Sequence, residues 1–522
     1  RKFNSFFDKV TEGYSRTVTI LLRKLSIALV AFVCLLGMTY IGFMQVPTGF
    51  LPDEDDGLLL VNLQLPDGAS LERTQKVMDN IAEILKTVGG VNTFTLMPGY
   101  SIIDGTGPNL GGGFISLKPW DERLAKGQTR DAMMLEMAKK FYNIQEAALL
   151  FPFALPPISG LGVSSGFDMQ VQDALGLGIG RLAEAADDIV AAAARQPSLM
   201  GVNSSFRAET PTLFADVDRV KALDLRIPLK SVFETMQAFL GSEYVNDFNK
   251  FGRTWQVKVQ ADSVFRRKPE DIGKLQVRSL DGKIIPLSAF VKVEETVGPQ
   301  RIDRYNMLTS ARVSGQSAPG FSSGQALSTM ESLAAQRFPQ GITYEWTGMA
   351  YEEKKAGGQI GFVFALAVVV VILILAAQYE SWSDPMAVIL TVPLAVLGAA
   401  VGLLIRGMDN NLYTQVGLIL LVGLSAKNAI LIVEFAREAR AKGAGYIEAA
   451  IEGSKLRFRP ILMTSFAFIM GVAPLVFATG AGASSRQSMG TAVFAGMVGV
   501  TMLGIFFAPV MYVLMQKFRR AP

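Results

Sequence analysis

Six separated apolar stretches organise the chain: Ser26–Val46, Ile360–Ala377, Asp384–Ile405, Leu412–Ala436, Arg459–Thr479 and Met489–Met515. Each offers about 17–26 residues, enough at 1.5 Å per residue to cross a hydrocarbon core about 30 Å thick. They predict six transmembrane helices. Ahead of them, residues 1–25 place Phe3, Phe6, Phe7 and Val10 at helical spacing and predict an amphipathic cytoplasmic lead-in.

Between the first and second spans, Pro47–Gly357 alternates strand and helix patterns. Gly57–Leu65 reads as a strand and Ser70–Val88 as a helix with Ser70 as its N-cap. Val91–Leu96 and Gly113–Trp120 read as strands, Thr129–Ala147 as a helix and Leu149–Ala154 as a strand. That order, β-α-β-β-α-β, is the ferredoxin-like split motif. It recurs in broken form: Phe167–Gln172, Leu177–Gln196 and Leu199–Phe206, then Met307–Ser314, Ser322–Phe338 and Ile342–Gly348. The interruption, about Ala208–Gly298, is a mixed α/β module with strands such as Thr212–Val217 and Thr254–Val259. The expected fold is thus an α-helical membrane domain of six helices plus an α+β region of two ferredoxin-like units, the second interrupted by a mixed α/β module. The expected domains are the lead-in 1–25, the first span 26–46, a first subdomain 47–157, a second formed by 158–207 and 299–357, the module 208–298, five spans in 358–516, and a cytoplasmic tail 517–522.

Charge orients this arrangement. The insert holds 37 acids and 32 bases, and the remainder 9 acids and 18 bases. The net basicity therefore sits beside the membrane and gives no reason to expect nucleic acid. With a cytoplasmic N-terminus, segments 1–25, 378–383, 437–459 and 516–522 carry nearly all the bases of the short loops, and the opposite loops carry only Arg406 and Arg486. The positive-inside bias places the insert outside. Cys34, the single cysteine, lies in a span, so the insert has no disulfides. Histidine is absent, which removes imidazole shuttling, His-based metal sites and most nucleophile–base–acid sets. The chain opens on Arg1, and an internal fragment or split product is expected.

Lys427 stands near the centre of LYTQVGLILLVGLSAKNAILIVEFA (412–436). A bare ammonium near a bilayer midplane costs roughly 2.5–3.5 kcal/mol even on insertion scales, so such a residue is usually paired and functional. None of the six stretches offers a mid-depth Asp or Glu. The counter-charge must come from outside this chain, which points to half of a larger ion-driven machine. A purely structural buried pair is the alternative. Glu434 shares the Lys427 face near the cytoplasmic end and reads as interfacial. In the next span Arg457 and Thr464, seven apart, share a face, although the threonine hydroxyl could simply bond its own helix. Arg459 beside Pro460 reads as an anchor with proline at a tolerated first-turn position. Gly417, Gly423, Ser425 and Ala426 would let another helix approach closely.

GLSAKNAILIVEFA (423–436), LRFRPILMTSFAFIMGVAPL (456–475), AAQYESWSDP (376–385), GFLPDEDDG (49–57) and RTQKV (73–77) resemble the C-terminal half of the hydrophobe/amphiphile efflux branch of the resistance-nodulation-division pumps. The resemblance covers essentially the whole chain. It implies six of the twelve helices and the second periplasmic loop of a homotrimeric drug/proton antiporter of the Gram-negative inner membrane. That antiporter works with a periplasmic adaptor and an outer-membrane channel, is driven by the proton gradient, and needs no cofactor. The N-terminal half would supply two transmembrane aspartates for a proton relay in which Lys427, Arg457 and Thr464 match the family's lysine, arginine and threonine.

The resemblance also implies a phenylalanine-rich pocket for amphiphilic small molecules, with Phe94, Phe114, Phe151 and Phe153 at matching positions; on pattern alone, alternating phenylalanines are more often core. Residues 98–113 read as a glycine-rich loop without periodicity. Tyr100 and Ile102 stand there where related pumps often carry two phenylalanines. Gly160 stands at a position that can be acidic in relatives, and Asn203 and Ser205 where an arginine–asparagine pair can occur, which favours neutral or moderately amphiphilic compounds. The glycine-rich stretch lacks the Gly-Lys-Ser/Thr ending of a phosphate loop. GSEYVNDFNKFGR (241–253) resembles a recurrent family segment within the funnel module, and its turn residues account for it equally well. A metal or lipid exporter, or a non-transporting scaffold with an external domain, are the competing readings. A metal pump should show a Met, His or Cys cluster, and a scaffold has no reason to bury Lys427.

Overall fold

A computed structural model describes residues 2–158, 160–162, 165–357 and 360–519. The chain divides into two compact units, one formed by Arg1–Ser205 with Arg304–Pro522 and the other by Phe206–Asp303.

The larger unit opens with α1 (Lys2–Arg23) and α2 (Leu25–Gln45). The face that α1 buries is Tyr14, Val18 and Leu22, with Phe7 5.8 Å from Phe458, whereas Val10 is exposed. The side chains of Phe3 and Phe6 lie outside those described.

A four-stranded antiparallel sheet follows, built from β1 (Leu58–Gln64), β2 (Val91–Ser101), β3 (Gly105–Leu117) and β4 (Leu149–Ala154) in the order β2-β3-β1-β4. Its helices are α3 (Leu71–Lys86) and α4 (Arg130–Phe141), capped by Ser70 and Thr129. Leu59, Val61, Leu63 and Ile115 pack one face of the sheet onto Val77, Ile81, Met133 and Met137 of the helices. The expected loop 98–113 is mostly strand, because β2 and β3 form a long hairpin turning at residues 102–104. Glycine composition suggests a loop, but Gly112 and Gly113 serve close backbone approach: a Cβ on Gly112 would lie 2.9 Å from the Tyr100 carbonyl, and one on Gly113 would lie 2.6 Å from the Thr95 carbonyl of the neighbouring strand.

A second sheet has five strands: four run β6-β7-β5-β8, with β5 (Phe167–Asp173), β6 (Leu199–Ser204), β7 (Leu308–Ser317) and β8 (Ile342–Thr347), and a short strand Asp303–Tyr305 also pairs with β7. Its helices are α5 (Ile179–Ala193) and α6 (Ser323–Arg337). Asp168, 5% exposed, anchors it by accepting from Arg312 Nε and Nη2 at 3.0 and 2.7 Å and from Ser314 Oγ at 2.5 Å. A further helix, α7 (Gly348–Gly357), leads into the membrane region and has no counterpart in the expected elements.

Among the described residues, six helical segments are long and apolar enough to cross a membrane. The first is α2 and the second α8 (Ile360–Tyr379). The third is broken into α9 (Ser383–Ile389) and α10 (Val392–Arg406): Pro393 lacks an amide hydrogen and its ring crowds the carbonyl four residues back, at Ile389. The fourth and fifth, α11 (Leu412–Ala441) and α12 (Tyr446–Val476), run well beyond their apolar stretches, so the expected loop 437–459 is largely helix. Pro460 consequently lies inside α12 and not in its first turn. The sixth joins α13 (Ala483–Gly499) through a π-helical turn, Val500–Gly504, to α14 (Ile505–Arg519).

Glycine sets the spacing of this bundle. The backbones of α10 and α13 meet at Gly398 and Gly499, where a Cβ on Gly499 would lie 2.7 Å from the Gly398 Cα.

The smaller unit pairs strands Thr210–Val217 and Val291–Gly298, with a core of Ala222, Ile227, Val232, Leu287 and Phe290. Its hairpin Glu243–Lys250/Arg253–Val259 is exposed at every position.

Candidate functional site

α11 and α12 pack lengthwise, and Asn428 Nδ2 donates to Ser465 Oγ at 3.1 Å between them, both residues buried. Lys427 and Thr464 each immediately precede one member of that pair. In two antiparallel helices, one step back from a contact turns both side chains to the same flank and separates their levels by only about 3 Å. Both are exposed on that flank. Arg457, seven residues before Thr464, shares the flank about 10 Å away along the axis. Its guanidinium lies 3.6 Å from the centroid of the Phe435 ring, and its buried Nε has no hydrogen-bond partner. Among the described residues Lys427 has neither a hydrogen bond nor an ion pair. The Thr464 hydroxyl donates to the Ile461 carbonyl at 3.1 Å. The three basic and hydroxyl residues thus share one open flank, two of them with capacity to spare.

The small residues divide between faces. A Cβ on Gly423 would meet nothing on the Lys427 flank, while Gly417 approaches the Met489 carbonyl of α13 and Ser425 and Ala426 are buried within the chain. Away from that flank, the buried Asp384 accepts from Gln516 Nε2 at 2.9 Å and lies 3.5 Å from Arg437 Nε. Arg437 is ten residues beyond Lys427, about 15 Å further along α11 and roughly a quarter-turn around it. This acid is therefore already engaged by another base. Neither the Asn428–Ser465 bond nor the Asp384 pairing was visible as a spacing pattern.

A second group forms on the first sheet, on the face opposite its helices. Leu60 is flanked by Phe114 on β3 and Phe153 on β4, and Asn62, two residues on, by Gly112 and Phe151. Alternation puts Phe114, Phe151 and Phe153 on one face. The Phe151 and Phe153 rings stand 5.7 Å apart, and Phe114 is 40% exposed. Phe94 is not with them. It pairs with Ile115 and packs on the helix-side core. Tyr100 and Ile102 do reach the aromatic face: after a bulge at Pro98–Tyr100 the hairpin tip folds back over Gly112, whose Cβ would lie 2.9 Å from the Tyr100 carbonyl and 3.6 Å from the Ile102 amide. Ser101 Oγ fastens the tip by donating to Asn62 Oδ1 at 2.6 Å, while the amides of Ile103 and Asp104 donate to it at 3.1 and 2.9 Å.

A cavity of about 350 Å³, lined in part by Phe50, Phe321, Met408, Asp53, Glu353 and Asp409, lies where the sheets meet the helices. Burial, with the nearby Asp409 charge adding to it, pushes the Glu353 carboxyl up to about 7 against the opposing effect of Ser323 Oγ, 3.0 Å away. Burial also raises Asp409. The cavity draws its lining from seven separate stretches of chain, so no local motif could have signalled it.

The arrangement is a bundle of long apolar helices with an open basic flank, joined to a sheet-containing region that carries an aromatic face. The chain belongs to the AcrB/AcrD/AcrF family, whose pattern matches residues 1–516. Over 521 residues it is 42% identical to the toluene efflux pump membrane transporter TtgB of Pseudomonas putida, with 99% of this chain and 49% of that protein covered. It is 40% identical over 519 residues to the multidrug export protein AcrF of Escherichia coli, covering 99% and 50%. The multidrug resistance protein MdtF of E. coli is 40% identical over 528 residues, covering 100% and 51%. The chain spans about half the length of the curated relatives it matches.

Proposed function

We propose that the chain is the C-terminal half of a proton-driven antiporter that exports amphiphilic small molecules from the periplasm and inner membrane. The observation that carries this reading is Lys427, without a hydrogen bond or ion pair among the described residues and level with Thr464 on an open flank. A missing N-terminal half would lay two carboxylates against Lys427, Thr464 and Arg457. Protonation of a carboxylate would remove its attraction to the ammonium and let the helices shift, so each proton taken up changes the packing of the two halves. The chain therefore cannot couple by itself.

The strand orders of the two sheets support the ferredoxin-like reading of both subdomains, in which order 4-1-3-2 arises from β-α-β-β-α-β. Phe114, Phe151 and Phe153 would form the substrate face, with Tyr100 and Ile102 on the folded-back tip as its adjustable rim and Phe94 supporting β2 from behind. A periplasmic position for both sheets follows from the charge bias. Homotrimer formation, the adaptor and the outer-membrane channel are the partners this role requires, with residues 208–298 as the docking module. Energised efflux of a fluorescent amphiphile from pump-deficient cells carrying the complete transporter tests the proposal. Wild type should extrude the dye and Lys427→Met should not; equal efflux by both would refute it.

A further inference from the structure

The acidic stretch Asp53–Asp56 between α2 and β1 is bonded on two sides. On one, the Glu54 carboxylate lies on the first turn of α13: the amides of Ser484 and Ser485 donate to it at 3.2 and 2.7 Å, and the Ser485 hydroxyl contacts it too. Amides at a helix start have no partner within the helix and carry the positive end of its dipole, so a carboxylate there is held by charge-assisted bonds. On the other side, the first sheet unit grips the same stretch. Arg130, at the start of α4, donates to the Glu54 carbonyl at 2.7 Å and lies 3.7 Å from Asp53. The fully buried Arg123 donates to the Asp55 carboxylate at 2.6 Å, and Trp120 Nε1 donates to the Asp55 carbonyl at 3.0 Å.

α13 is in turn locked to α11, the helix of Lys427. A Cβ on Gly417 of α11 would lie 3.2 Å from the Met489 carbonyl, and one on Gly496 of α13 would collide with Leu421. Contacts at that range leave little slack, because close-packed surfaces transmit displacement instead of absorbing it. A continuous set of bonds and tight contacts therefore runs from Lys427 through α11 and α13 to Glu54, and through Arg130 and Arg123 to the sheet that carries Phe114, Phe151 and Phe153.

We propose that Glu54 and the first turn of α13 form a strut that carries displacement of α11 to the first sheet unit, making Glu54 a positioning residue for export. The inference rests on the exporter reading above and adds to it the route of coupling. In the complete transporter, Glu54→Gln should lower the maximal rate of energised efflux about tenfold, the factor expected for losing a charged hydrogen bond. Half-saturating dye concentration and the amount of folded protein in the membrane should not change. A Glu54→Cys/Ser485→Cys pair, in a background otherwise free of cysteine, should be slow until a short bifunctional thiol reagent joins the two, and should then recover. Wild-type maximal rate in Glu54→Gln, or arrest of the pair on crosslinking, would overturn the strut. So would a Glu54→Gln deficit explained wholly by lost protein.

Spin labels give a readout that does not depend on export. Between pH 5 and pH 8, distances across the bundle and between α13 and β4 should change together in wild type. In Glu54→Gln only those across the bundle should change. Changes across both in Glu54→Gln would sink the strut, and a wild type that exports nothing would instead sink the exporter reading.

Discussion

Replacing Lys427 with methionine keeps the length of the side chain and deletes its charge, which isolates the electrostatic role. Among the described residues the ammonium has no partner, so its removal leaves none of them unsatisfied. The roughly 2.5–3.5 kcal/mol insertion cost of a lysine disappears. The isolated chain in detergent or lipid should accordingly be as stable as wild type or more stable, by up to about 3 kcal/mol on the same scale. The complete transporter should respond in the opposite sense. An ion pair at about 4 Å in an effective dielectric of about 20 is worth about 4 kcal/mol, close to a thousandfold in proton affinity. Without Lys427 the facing carboxylates would hold their proton that much more tightly and the cycle would stall. Dye efflux at matched expression should fall at least about a hundredfold, allowing for partial screening by Arg457. Thermal unfolding of the isolated chain, monitored beside efflux from cells, checks both halves of the statement. Efflux within about twofold of wild type, or a variant chain destabilised by more than about 1 kcal/mol, would refute the reasoning.

Three further outcomes are expected. Glu353 has its carboxyl raised to about 7 from an ordinary 4.5, so the folded state favours the protonated form; the associated stability is present below about 4.5 and is lost as pH rises through about 7. Glu353→Gln should flatten melting temperature across that window, and an unchanged slope would count against the assignment. Asp168→Ala leaves Arg312 without its carboxylate in the second sheet and should cost about 3–5 kcal/mol in urea unfolding, while the Asp168→Ala/Arg312→Met pair should recover part of it. Gly112→Val would press on the Tyr100 carbonyl and lift the hairpin tip from the aromatic face. It should raise the half-saturating dye concentration severalfold with the maximal rate little changed, and Phe114→Ala should do the same without disturbing the tip.

Much of this architecture is legible in residue order, because six apolar stretches must be spans and a repeated β-α-β pattern must pair its strands. The relation of Arg457 to Thr464 was legible too, since the seven-residue spacing fixes a helix face, whereas the level of Lys427 depends on the Asn428–Ser465 contact between two helices. Other features depended on tertiary contacts that spacing does not encode. Phe94 and Phe114 look equivalent in a list of aromatic residues, but the register of β2 against β3 sets them on opposite faces. The stretch 98–113 has the composition of a loop, although its glycines serve close backbone approach. The basic segment 437–459 reads as a short loop, yet α11 and α12 continue through most of it.

The glycine contacts among α10, α11 and α13 carry a practical consequence for hybrid transporters. Helices that meet through their backbones share a fitted surface that no single compensating side chain can restore. Segments exchanged between homologues should therefore keep residues 395–499 from one parent, with junctions placed in the soluble region. A breakpoint between Gly417 and Gly496 would pair two halves of a seam shaped in different lineages, and such chimaeras should fail in assembly before any question of substrate range arises.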